Sequence, residues 1–254
     1  MKKEEIHTIP ISDAFAAEDE CPFCFIERKA EERMMDFVLG AGASYMESDI
    51  RSQTDKEGFC RMHYQKMFRY GNALGNAWIL KTYYQRTIED YNRVTKNFKP
   101  ESGKKGFLKK KTEGSSNAVA TWVEKQEEHC YICDTLKDTF RSYMETFFTV
   151  YRKDETFREQ VLTGKGFCLT HFAELLKGAD EKLPEEALAG FYEKILPLEK
   201  ENLSRVYEDV AWFIEKYDYK NRDADWKNSK DAVQRGMQKI KGGYPADPPY
   251  EMKR

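Results

Sequence analysis

Gly58-Phe59-Cys60-Arg61-Met62-His63 returns later in the chain as Gly166-Phe167-Cys168-Leu169-Thr170-His171. Each copy is preceded by a Cys-x-x-Cys, namely Cys21-Pro22-Phe23-Cys24 for the first and Cys130-Tyr131-Ile132-Cys133 for the second. Counted from the leading cysteine, the offsets are 0, 3, 39, 42 in one copy and 0, 3, 38, 41 in the other. All six cysteines and two of the four histidines belong to this doubled pattern, so no thiol is left over.

Three thiols and one imidazole per copy are the donors of a tetrahedral zinc site. A Cys-x-x-Cys turn supplies two sulfurs from one short loop. A Cys-x-x-His at the start of a helix places the other two ligands on one face. Gly58 and Gly166 suit a loop that turns sharply before that helix. The spacing therefore predicts one site closed by Cys21, Cys24, Cys60 and His63, and a second closed by Cys130, Cys133, Cys168 and His171. Four protein ligands leave no open position for water, which makes such a site structural rather than catalytic.

Two other chemistries use the same side chains. An iron–sulfur cluster can be held by cysteines with a histidine replacing one. Dithiol redox chemistry at Cys-x-x-Cys goes with a βαβ setting, of which there is no sign. His129, next to Cys130, is a candidate alternative ligand or a hydrogen-bond donor to one; the first copy has Glu20 there, which favours an ordinary surface histidine. His7 stands alone near the N-terminus and reads as exposed.

Outward from the motifs the pattern is helical. Phe23, Ile26, Ala30, Met34, Phe37 and Val38 recur at three and four residues, with Glu27, Arg28, Lys29, Glu31 and Glu32 on the solvent face. A short segment about 44–51 and polar loop residues lead to Gly58, and the helix after Cys60 ends at Gly71. Residues 76–97 form a long helix with Ala77, Leu80, Tyr84, Ile88 and Tyr91 as its core stripe. Asn117 is a candidate N-cap. A helix follows Cys130, then a segment about 156–162, then a long helical region over 184–216 bent at Pro197. A last helix runs from Trp226 to Ile240. No strand alternation is present. The fold expected is all-α, a tandem-duplicated helical bundle with a period near 109 residues and two Cys3His metal sites.

The corresponding organisation is a loosely held lead-in over residues 1–20, a first helical repeat over 21–98, a basic flexible linker over 99–117, a second repeat over 118–216, and a C-terminal helix with an extended tail over 217–254. The linker holds six lysines against two glutamates but lacks arginines and interleaved aromatics, so it reads as a solvated hinge.

Composition bounds the function classes. In 254 residues, 34% are charged and 14% aromatic, a helical protein with an aromatic core rather than a disordered chain. A net charge of −2 gives no general attraction to nucleic acid or anionic membrane. No run reaches the length of a membrane span, and the first residues lack the apolar stretch of a signal peptide. A cytoplasmic location is expected, with the cysteines reduced. No nucleophile–base–acid set and no Gly-rich phosphate loop emerges. A protein partner at the aromatic-rich helices or the tail is the expectation; nucleic acid is disfavoured and oligomeric state is open.

The doubled Cys-x-x-Cys…Gly-Phe-Cys-x-x-His, with Asp218-Tyr219-Lys220-Asn221-Arg222 and Lys230-Asp231-Ala232-Val233-Gln234-Arg235 after it, resembles a bacterial family of unknown function over most of the chain. Some members of that family carry a transporter substrate-binding label. The resemblance implies no activity.

Overall fold

The computed structural model describes residues 3–42, 44–99 and 117–243. The linker expected over 99–117 and the extended tail fall largely outside them. Among the described residues there are eleven α-helices and no strand. They are α1 (Lys3–Ala16), α2 (Pro22–Leu39), α3 (Ser48–Glu57), α4 (Arg61–Tyr70), α5 (Ala73–Thr95), α6 (Ala118–Glu127), α7 (Tyr131–Lys153), α8 (Glu155–Leu162), α9 (Leu169–Lys182), α10 (Glu185–Glu215) and α11 (Ala232–Lys241). No helix among these residues is long and apolar enough to cross a membrane.

The chain divides into two compact units: Met1–Ala30 with Thr139–Arg254, and Glu31–Asp138. Helices α2 and α7 each contribute residues to both.

The first unit is built on phenylalanine. Phe23 is fully buried, stacks on Phe167 at 5.3 Å between centroids, and meets Phe140 and Phe147 edge-on at 5.5 Å each. Phe15, Phe157 and Phe191 extend the same core. Burying each ring contributes about 1.5–3 kcal/mol, and a well-oriented aromatic pair about 0.5–1.5 kcal/mol more. The lead-in expected to be loose is instead helix α1, whose Ile11 and Ala14 are fully buried in this core. Its apolar residues form no single stripe and Pro10 interrupts the pattern, so the sequence does not signal a helix; tertiary burial makes the difference.

Helix α11 shows the opposite of ordinary amphipathicity. Its Arg235, Gln238 and Lys239 are buried, while Val233, Met237 and Ile240 face solvent. Buried charge is tolerated only when paired and hydrogen-bonded. Arg235 meets Asp209 at 2.9 Å and Asp231 at 2.8 Å, Gln238 donates to Asp19 Oδ1 at 2.7 Å, and Lys239 Nζ donates to the Glu20 carbonyl at 2.8 Å. Glu20 in turn accepts a forked pair from Arg205 at 3.0 and 2.5 Å.

The second unit buries Met35, Val38, Leu39, Phe59, Met67, Ile79, Tyr131 and Ile132 together. Asn117 caps α6, accepting from the Val119 and Ala120 amides at 3.0 and 3.1 Å, as the sequence predicts. Gly71, in the left-handed region at φ +89°, ends α4 as expected. Two expectations fail here. The polar stretch before Gly58 is helix α3, with an acid in its first turn (Asp49), a base in its last (Lys56) and Asp55 accepting from the Thr82 hydroxyl of α5 at 2.7 Å. Most of the stripe assigned to the core of α5 is exposed, Tyr84 at 61%, Ile88 at 57% and Tyr91 at 49%, and only Leu80 is half-buried. Helical spacing marks a face but does not say that anything covers it.

Candidate metal centres

In the first unit, Cys21 precedes α2 and its carbonyl accepts from the Phe25 amide at 3.2 Å. Pro22, with no amide hydrogen to satisfy, occupies the first helical position. The Cys21 amide donates to Asp19 Oδ1 at 3.1 Å, which leaves both sulfurs of the Cys-x-x-Cys free to point at one spot. The other half comes from the start of α9. Gly166 sits at φ +70°, and an added Cβ would stand 2.7 Å from Glu199 Oε2, so only glycine fits. The same carboxylate accepts from the Phe167 amide at 2.9 Å. Cys168 is the N-cap of α9, its Sγ accepting from the His171 amide at 3.4 Å.

These two helix starts bring Cys21, Cys24, Cys168 and His171 together. His171 Nδ1 lies 3.4, 3.5 and 3.2 Å from the sulfurs of Cys21, Cys24 and Cys168, and the Cys24 and Cys168 sulfurs are 3.8 Å apart. The three cysteines are 0% exposed. Phe140 stacks on the imidazole at 5.0 Å, and His171 Nε2 pairs with Glu27 Oε1 at 3.2 Å.

The second unit repeats the arrangement. Gly58, at φ +63°, leads to Cys60, the N-cap of α4, with His63 in the first turn. Cys130 precedes α7, its amide donating to Asp134 Oδ2 at 3.3 Å, and the Tyr131 amide donates to the Gly58 carbonyl at 2.9 Å. His63 Nδ1 lies 3.3, 3.2 and 3.3 Å from the sulfurs of Cys60, Cys130 and Cys133, and Cys60 and Cys133 are 3.8 Å apart. His63 Nε2 meets Glu31 Oε1 at 3.0 Å, and Lys66 holds the same carboxylate at 2.6 and 2.5 Å. This group is less enclosed: Cys130 and His63 are buried, Cys60 is half-buried and Cys133 is exposed.

All eight residues singled out in the sequence are therefore gathered into two groups of three thiols and one imidazole, but the partners are exchanged. Cys21 and Cys24 are completed by Cys168 and His171, not by Cys60 and His63; Cys130 and Cys133 are completed by Cys60 and His63. The two copies have nearly equal offsets, so spacing alone could not say which Cys-x-x-Cys meets which Cys-x-x-His. The residues between the cysteines decide it. Phe23 belongs to the phenylalanine core with Phe167, whereas Tyr131 and Ile132 pack in the other core with Phe59. His129 is exposed and outside both groups, with Nδ1 3.3 Å from Asp134 Oδ2.

Crowding divides the protons unequally. Burial and the neighbouring Cys168 and Cys24 push the Cys21 thiol up. Hydrogen bonds from Cys21 and Cys24, and from His171, hold Cys168 far below the usual thiol range. Burial works against charge on His171, but Cys168, Cys24 and Glu27 outweigh it and raise the imidazole to about 12. At His63 the same opposition, with Cys130 and Glu31 on the raising side, ends at about 10. Burial raises Cys130, yet its bond with His63 brings it down to about 6, while burial and Cys130 push Cys133 up. Each group thus places negative sulfur against an imidazole whose far nitrogen is held by a carboxylate.

Those carboxylates lie on the face of α2 that the sequence marks as solvent, Glu27 exposed and Glu31 half-buried, and their role behind the imidazoles is what the sequence does not show. The signal that could have found them is helical: they lie three and seven residues after Cys24, on the same side of α2. A carboxylate behind a ligating imidazole fixes its tautomer and orientation and raises its basicity. With all ligand atoms of each group within 4.8 Å of one another, both groups can hold a metal ion.

No curated protein and no solved structure matches the chain. Residues 1–247 match the model of the Family of unknown function (DUF6062), and the chain belongs to that family.

Proposed function

We propose that the chain is a zinc protein in which each Cys3His group holds one ion in a structural role, and that the helical frame fixed in this way is a binding or regulatory module of a reducing, cytoplasmic compartment. The observation that carries this reading is the spacing of the ligand atoms. Zinc bonds of about 2.3 Å to sulfur and 2.0–2.1 Å to nitrogen, placed tetrahedrally, give edges of about 3.8 Å between sulfurs and about 3.6 Å between sulfur and nitrogen. The sulfur–sulfur distances of 3.8 Å and sulfur–nitrogen distances of 3.2–3.5 Å in both groups are close to those edges. An iron–sulfur cluster sets its ligands on different irons with sulfides between them, and so spreads the ligand atoms more widely than one tetrahedron does.

Four protein ligands per ion support a structural role, since no coordination position is left for substrate or water. Structural zinc contributes about 10–16 kcal/mol of binding free energy in small domains, as much as the whole net stability of an ordinary one. The exposed Tyr84, Ile88 and Tyr91 of α5 support a partner-binding role for the second unit. Elemental analysis of untagged protein, read beside its visible spectrum, tests the zinc reading. The expected result is two zinc per chain and no absorbance near the visible bands of iron–sulfur centres. Iron with a brown colour, or an unchanged melt after complete metal removal by a chelator, would overturn it.

A further inference from the structure

The two centres differ in how they are closed. At the first, α11 ends directly over the sulfurs. A Cβ on Gly242 would stand 3.2 Å from Cys168 Sγ and 3.3 Å from Cys24 Sγ, and the Gly243 amide donates to Cys24 Sγ at 3.5 Å. The helix that delivers this cover is tied down by the buried bonds of Arg235, Gln238 and Lys239 described above. The second centre has no such cover among the described residues: Cys133 is exposed and Cys60 half-buried, with their sulfurs 3.8 Å apart. Both thiols sit at helix N-termini, Cys60 as the N-cap of α4 and Cys133 in the first turn of α7. Zinc binds cysteine as the thiolate, and an accessible thiolate with a second one 3.8 Å away is the arrangement that reacts with peroxides.

We propose that Cys60, His63, Cys130 and Cys133 form a peroxide-responsive centre that releases its ion on oxidation, while the first centre is shielded by the Gly242–Gly243 cover. This rests on the zinc reading above. The Cys133 thiolate attacks one peroxide oxygen; the O–O bond breaks, the sulfur becomes a sulfenic acid, and the departing hydroxide takes a proton from solvent. The Cys60 thiolate then attacks the Cys133 sulfur and expels the second hydroxide, which leaves as water. Two thiolates, one hydrogen peroxide and two protons become one disulfide and two waters. The ion keeps only Cys130 and His63 and is lost.

The test uses the full zinc-loaded chain treated with hydrogen peroxide. Zinc release is followed with a chromogenic chelator, and each cysteine is followed by differential alkylation and peptide mass spectrometry. The expected result is release of one of the two ions together with a Cys60–Cys133 disulfide, at a rate roughly tenfold or more above oxidation of Cys21, Cys24 and Cys168. Equal rates at the two quartets, earlier oxidation of Cys21, Cys24 and Cys168, or zinc release without the Cys60–Cys133 disulfide would each overturn the proposal. Zinc content before peroxide judges the underlying reading separately: a chain that carries no zinc refutes that reading and this proposal with it, whereas two zinc per chain with equal oxidation rates refutes this proposal alone.

Discussion

Which thiols share an ion can be decided by pairs of cysteine-to-serine substitutions read by metal count. In Cys24→Ser/Cys168→Ser both changes fall in one quartet; in Cys24→Ser/Cys60→Ser they fall in different quartets. A closed tetrahedron that has lost one thiolate no longer retains zinc against a buffer, so a second loss in the same quartet removes nothing more. With free zinc held at a thousand times the dissociation constant, each ion contributes about 4.1 kcal/mol to stability. The same-quartet pair should therefore keep one zinc per chain and lose about 4 kcal/mol, and the cross-quartet pair should keep none and lose about 8 kcal/mol. Burying a serine hydroxyl at Cys24 and Cys168, both fully enclosed, adds about 1–3 kcal/mol each if it finds no partner. That blurs the stability contrast but not the metal count, which makes elemental analysis the primary assay and the chemical melt the secondary one. Retention of one zinc in Cys24→Ser/Cys60→Ser, with none in Cys24→Ser/Cys168→Ser, would refute the exchanged pairing and restore the sequence-adjacent one.

The carboxylates behind the imidazoles should matter one centre at a time. Glu27→Gln is expected to weaken zinc at the His171 centre by about 10–100-fold, and Glu31→Gln to do so at the His63 centre, measured by chelator competition; unchanged affinities would reduce both contacts to surface pairs. Gly242→Ala puts a side chain at φ +77° against two sulfurs and should cost about 1–2 kcal/mol or more in a urea melt. Gly190→Ala, inside α10 with open space around it, should instead stabilise by about 0.5–1 kcal/mol. Arg235→Met leaves Glu20 and Asp209 short of a buried partner and should cost about 3–5 kcal/mol. Arg93→Met, breaking an exposed pair with Asp90 on α5, should stay within about 0.5 kcal/mol.

How far the sequence could be read depended on the range of the signal. The helix class, the N-cap at Asn117, the stop at Gly71 and the eight ligand candidates all depend on residues within a few positions of one another, and these were legible. The inverted face of α11 was not, because Arg235, Gln238 and Lys239 are buried by partners on distant segments: Asp19, Glu20 and Asp209. The stripe on α5 escapes a sequence reading for the same reason: its periodicity is real, but α6 reaches only its far end, where Trp122 meets Tyr91, and Tyr84 and Ile88 stay exposed. Glu27 and Glu31 look like ordinary solvent-facing acids until His171 and His63 are placed against them.

The exchanged pairing follows from comparing chain entropy with packing. Joining Cys24 to Cys168 closes a span of 144 residues, against 36 for the sequence-adjacent alternative at Cys60. Loop-closure cost rises by about 0.6 kcal/mol per doubling, so the longer closure costs only about 1.2 kcal/mol more. Burying one phenylalanine contributes about 1.5–3 kcal/mol, already more than that difference. Phe23 has four phenylalanine partners, Phe15, Phe140, Phe147 and Phe167, the last one residue from Cys168. Two copies of a ligand motif with equal internal spacing leave the ions indifferent to the choice of partner. The side chains enclosed between the cysteines are not indifferent, and their burial is large enough to route each metal bridge across the chain.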